Sequence, residues 1–163
     1  MIQFVDERHE HAPAIERLLD VAFGEERWHK TCQRLRDGQA PLAGLSLVAL
    51  DRDALVGTVR LWPVLAGRRR ALLLGPLAID PAYRDQGIGA RLIEKALKRS
   101  REQGETAVLL VGDAPYYERF GFKRGPTERL WLPGSVDRKR FLARELKAES
   151  LAGVSGPVAK MAA

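Results

Sequence analysis

Two short stretches of this chain have residue types and spacing suited to chemistry. The first is the run Arg84-Asp85-Gln86-Gly87-Ile88-Gly89-Ala90, between an apolar strand with a Pro turn and an amphipathic helix. Gly87 and Gly89 have no side chains to block close approach. The backbone amides of residues 86–90 can therefore converge on an anion at the positive end of the following helix. Arg84 adds a guanidinium fork for phosphate oxygens. Such an order describes a pyrophosphate cradle, although a tight strand-to-helix turn without a ligand would use the same glycines. The run lacks the third glycine of a dinucleotide fingerprint, and no GxxxxGK[ST] stretch exists in the chain. The second stretch is Gly75-Pro76, inside an otherwise continuous apolar strand. Proline cannot donate to a ladder, so the strand is expected to bulge or part from a neighbour there, unless the pair is only an edge kink.

The elements that must position these residues follow from hydrophobic period and turn chemistry. Residues 2–5 read as a strand, and Pro13 introduces a helix with Ile15, Leu18, Leu19, Ala22 and Phe23 on its buried face. A second helix, with Trp28, Cys32 and Leu35 on one stripe, is expected to stop at Gly38. Strands over 45–50 and 55–61, joined by Asp51-Arg52-Asp53-Ala54, and a third over 72–79 form an antiparallel meander. The helix after the glycine loop turns Ile88, Leu92, Ile93, Ala96 and Leu97 inward and ends near Gly104. A buried strand over 107–111 follows, making a parallel pair with the strand before the helix. Residues 116–120 form a short helix closed by Gly121, residues 141–146 suit either helix or strand, and residues 153–163 are expected to fray.

Composition sets the outer limits. A chain of 163 residues, 45% hydrophobic, can bury one sizeable core, so residues 1–163 read as a single domain. One cysteine, Cys32, excludes an internal disulfide and a cysteine-cluster metal site, and suits a reducing compartment. The longest apolar run, residues 71–79, is too short for a membrane span, and the N-terminus is charged too early for a signal peptide; the expected location is the cytoplasm. A net charge of +6 would attract a polyanion, nucleic acid included. His9, His11 and His29 read as surface or interface histidines without a companion metal ligand, and no metal is expected. Arg68-Arg69-Arg70 reads as a basic hairpin tip, either solvated or meeting a phosphate of a bound nucleotide or RNA, and Trp62 and Trp131 as pocket or core residues.

With Tyr116-Tyr117-Glu118-Arg119-Phe120-Gly121-Phe122 downstream, the glycine loop resembles the acetyl-CoA signature of the GNAT superfamily of N-acetyltransferases. The family's Q/RxxGxG/A pattern stands here as Arg84, Gly87 and Gly89. LGPLAIDP, VGDAPYYERFGF and LAREL together resemble the YhbS-like branch.

The resemblance implies an α/β (α+β) GNAT fold: a mixed, largely antiparallel central sheet, flanked by helices, whose parallel strand pair splays at the acetyl-CoA site. A late antiparallel strand is then expected around 141–146. The amide of Leu77 would face the acetyl carbonyl, and the main chain of Leu77, Ala78 and Ile79 would pair with the pantetheine arm. Arg84, Asp85, Gln86, Gly87, Ile88, Gly89 and Ala90 would hold the pyrophosphate, and Gly112 and Tyr117 would flank the donor. YERFGF matches the family's YxxxGF, whose tyrosine protonates the departing thiolate, a task suited to a phenol near pKa ~10.

For the general base, Glu26 is the choice, with Glu25 and Asp113 as alternatives, and each also reads as an ordinary solvated charge. The asparagine many relatives carry after the second parallel strand is absent from Val111-Gly112-Asp113-Ala114-Pro115. The implied activity is acetyl transfer from acetyl-CoA to a primary amine of a small molecule or peptide, by direct attack in a ternary complex, without a metal. The alternatives are a non-catalytic CoA-binding sensor or a transferase acting on an RNA-linked amine. The expected partners are acetyl-CoA, an amine acceptor and a second copy of the chain, not a membrane or free nucleic acid.

Overall fold

The computed structural model describes residues 1–161. In chain order the strands are β1 (Ile2–Asp6), β2 (Leu47–Asp51), β3 (Ala54–Ala66), β4 (Arg69–Ile79), β5 (Ala107–Val111), β6 (Leu130–Trp131), β7 (Phe141–Glu145) and β8 (Gly156–Lys160). The helices are α1 (Ala12–Phe23), α2 (Gln33–Arg36), α3 (Ile88–Glu102) and α4 (Ala114–Glu118). The sheet runs β1-β2-β3-β4-β5-β7, with β8 added beside β3 and β6 beside β8. Only β4·β5 and β6·β8 are parallel. This is the mixed, largely antiparallel sheet expected, with helices on both faces. No helix among the described residues is long and apolar enough to cross a membrane.

Period-two alternation divides the sheet into two buried faces. Leu72, Leu74, Val108 and Leu110 point toward α3, meeting Ile88, Leu92, Ile93, Ala96 and Leu97. Ala71, Leu73, Ala107 and Leu109 point the other way, against Cys32, Leu35 and Trp62. The helix α1 covers Val48 and Ala78 with Ile15, Leu18 and Leu19.

Three expectations are corrected. The single helix through Trp28, Cys32 and Leu35 is instead a 3-10 turn (Glu25–His29) and the short α2, separated by extended backbone at Lys30. Trp28 is exposed, while Arg27 turns inward to Glu16 (2.7 Å) and Asp20 (3.1 Å), so ion pairing overrides the apolar stripe. The strand expected to end at Leu61 continues to Ala66, because its far half finds partners in β4 and β8. The C-terminal segment does not fray through Lys160. The strand β8 pairs Val64↔Lys160 and Ala66↔Val158, and Val158 is buried; residues 162–163 lie outside the described residues. The ambiguous segment 141–146 is the antiparallel strand β7, paired along all of β5.

Candidate active site

The glycine loop has the expected geometry. Asp85 (φ 64°) and Gly87 (φ 74°) both take left-handed backbone, which turns the chain into α3. The first α3 bond runs from the Arg91 amide to the Gly87 carbonyl (3.1 Å). The amides of Gln86, Gly87, Ile88, Gly89 and Ala90 therefore have no backbone acceptor among the described residues. No side chain caps the helix, and no acidic residue sits in its first turn. A Cβ on Gly87 would meet nothing within 4 Å, so the approach is open. Arg84, Asp85 and Gln86 are exposed, while Ile88 anchors the loop in the core. A Cβ on Gly89 would come within 3.3 Å of the Tyr116 hydroxyl, which fixes the loop against α4.

Gly75-Pro76 does what proline's missing donor implied. The strands β4 and β5 pair only at Leu72↔Val108 and Leu73↔Leu109, and beyond them the two separate. Against β3 the register slips between Val59 and Leu61, a bulge that leaves Leu77, Ala78 and Ile79 paired to β3 on one edge and open on the edge facing β5. The buried Trp62 indole donates to the Gly75 carbonyl beside the bulge. Trp62 is thus core and strut in one, whereas Trp131 is 54% exposed and belongs to neither core nor pocket.

The splay opens into a cavity of about 880 Å³, lined among others by Leu74, Gly75, Pro76, Leu77, Gly112 and Tyr117. Tyr117 is half-buried; its ring meets Tyr116 edge-on (centroids 5.0 Å) and Phe122 (5.9 Å). Gly112 is required beneath it, since a Cβ there would lie 2.4 Å from Tyr117 Cε2. The Tyr117 hydroxyl makes no side-chain hydrogen bond among the described residues, and Tyr117 lines the cavity. Burial first, then the Tyr116 hydroxyl and Asp113, push its pKa up to about 12, against a lowering by Arg140. The phenol is therefore fully protonated at neutral pH.

The structure does not bring Glu26 to this cavity: Glu25 and Glu26 are exposed on the outer side of their 3-10 turn, and neither lines the wall. Asp113 does line it, but its carboxylate caps α4 by accepting from the Tyr116 amide (3.2 Å). Lys30, Arg36 and Arg140 also line the cavity and were not singled out in the sequence. For Arg36 a signal existed: it lies one helical turn after Cys32, on the edge of an apolar stripe.

Among known proteins, residues 43–124 match the family described as Acetyltransferase (GNAT) domain. The chain is 32% identical over 150 residues to the uncharacterized N-acetyltransferase YhbS of Escherichia coli (strain K12), a match covering 90% of this chain and 89% of that protein. A crystal structure of the GNAT family N-acetyltransferase YhbS from Escherichia coli in complex with CoA superposes with a TM-score of 0.79 at 30% identity, covering 98% of this chain and 89% of that one. A GNAT family acetyltransferase from Brucella melitensis in complex with acetyl-CoA gives a TM-score of 0.74 at 27% identity, covering 99% and 97%.

Proposed function

The chain belongs to the GNAT family of N-acetyltransferases, and from that premise we propose that it moves the acetyl group of acetyl-CoA onto a primary amine of a small molecule or peptide, by direct attack in a ternary complex. The residues present suit the donor. The unpartnered amides of Gln86, Gly87, Ile88, Gly89 and Ala90, with Arg84, hold its pyrophosphate, and the α3 dipole adds to their field. The open edge of Leu77, Ala78 and Ile79 accepts the pantetheine arm as an added strand, with the Leu77 amide toward the acetyl carbonyl. The neutral amine nitrogen bonds to the acetyl carbon, the carbon–sulfur bond breaks, the Tyr117 phenol gives its proton to the departing sulfur, and the proton shed by the new amide nitrogen passes through solvent to restore the phenol. Cys32, the only cysteine, is a buried free thiol, which suits the reducing cytoplasm.

The observation that carries this reading is Tyr117, a protonated phenol on the wall of the cavity that opens where β4 leaves β5. Tyr117→Phe removes that proton and little else. Single-turnover acetyl transfer is expected to slow by at least about tenfold, with acetyl-CoA affinity nearly unchanged. Unchanged single-turnover rates would take Tyr117 out of the role. Acetyl-CoA binding without thiol release for any amine would instead favour a CoA-binding sensor.

A further inference from the structure

The chemistry of transfer leaves the basic side of the cavity unused. Lys30, Arg36 and Arg140 all line it, and none of the three forms an ion pair among the described residues. Arg27, on the same wall, is neutralised by Glu16 and Asp20. The two carboxylates of the wall serve backbone amides: Asp113 accepts from Tyr116 (3.2 Å) and Asp137 from Lys139 (3.0 Å). Arg36 is half-buried on α2, and its only side-chain hydrogen bond runs from Nε to Gln33 Oε1 (3.3 Å). That bond leaves both Nη groups free of protein acceptors among the described residues. Its Nη1 lies 3.9 Å from where a Cβ on Gly75 would stand, beside the β4 bulge.

These cations also oppose one another. Burial lowers the Lys30 pKa first, and then Arg36 and Arg140 lower it further, against Cys32; burial likewise lowers Arg36, opposed by Cys32 and Asp37 and reinforced by Arg27 and Arg60. A largely desolvated guanidinium without a direct ion-pair partner is a costly arrangement, and its planar fork matches an oxyacid. Gly75 stands two residues before Leu77, roughly 7 Å along the strand, so an anion at Arg36 lies within one small molecule's length of the reacting carbonyl.

We propose that the acceptor is a small amine carrying a carboxylate or phosphate, and that Arg36, with Lys30 and Arg140 beside it, holds that anionic group while the amine faces the donor. This inference rests on the acetyltransferase reading above. The test measures thiol release from acetyl-CoA with amines in matched forms: β-alanine against β-alaninamide, and phosphoethanolamine against ethanolamine. The anionic member of at least one pair is expected to have a kcat/KM at least tenfold above its neutral partner, and the better anion identifies the source. Arg36→Gln is expected to bring that ratio to within about twofold of one, mainly through KM, and Arg36→Lys to restore part of it. Arg140→Gln, at an exposed position, gives a smaller loss of the same ratio and guards against a folding defect at Arg36. Release from neutral and anionic amines alike, or equal losses for both on Arg36→Gln, would overturn the inference and leave the transferase reading intact. No release from any amine would overturn both.

Discussion

Gly112→Ala tests the placement of Tyr117, the proposed proton donor, without touching that residue itself. The added methyl would stand 2.4 Å from Tyr117 Cε2 and 2.9 Å from Cδ2, whereas ordinary contact begins at 3.4 Å. The ring must therefore retreat by about 1 Å, and it has little room, because Tyr116 and Phe122 meet it edge-on at 5.0 and 5.9 Å. A 1 Å misplacement of a reacting group costs on the order of 10²-fold in rate, or about 2.7 kcal/mol of barrier. Overpacking costs a further ~1–3 kcal/mol of stability. The assay is single-turnover acetyl transfer in a four-member cycle of wild type, Gly112→Ala, Tyr117→Phe and the double variant, with thermal unfolding beside it. The two readouts should separate. The phenylalanine ring still clashes, so the stability loss appears in both backgrounds; the rate loss appears only where a hydroxyl remains to be misplaced. A Gly112→Ala protein that turns over at the wild-type rate, or loses the same fraction of rate in both backgrounds, would refute the reasoning.

Three further outcomes are expected. Arg60 binds Glu7 through two bonds of 3.0 and 3.1 Å, and both side chains are about one-tenth exposed. Arg60→Leu strands the carboxylate and should cost about 3 kcal/mol, a Tm fall of roughly 6–12 °C; a loss under ~1 kcal/mol in urea unfolding would contradict this. The Thr58 hydroxyl is buried between Val48 and Ala78 without a partner among the described residues, so Thr58→Val should stabilise the fold by about 1 kcal/mol, and a lowered Tm would count against it. The Tyr117 phenol is raised from ~10 to about 12, so the folded state favours its protonated form. Its contribution to stability is complete below pH ~10 and disappears as pH climbs through about 12. The kcat profile should accordingly show no descending limb near pH 10, and the ultraviolet difference titration between wild type and Tyr117→Phe should place the missing phenol near 12 rather than 10.

Wherever a signal was local, the sequence held it. The period of Ile88, Leu92, Ile93, Ala96 and Leu97 marked α3 and its inner face. Gly87 marked a turn into left-handed backbone, and Pro76 marked the place where β4 leaves β5. These follow from φ limits, absent donors and helical spacing, which a residue carries wherever it is placed. Tertiary structure decided what depends on residues far apart in the chain. The strand β8 is too weakly patterned to announce itself, and it exists because the outer half of β3 had a free edge to pair. The expected second helix broke because Arg27 found Glu16 and Asp20, and an ion pair pulled inward what periodicity would have left outside. Glu26 fell outside the cavity, while Lys30 and Arg36 met Arg140 there from a segment more than a hundred residues away. The charge of a pocket is a sum over elements that touch only after folding, so no spacing along the chain encodes it.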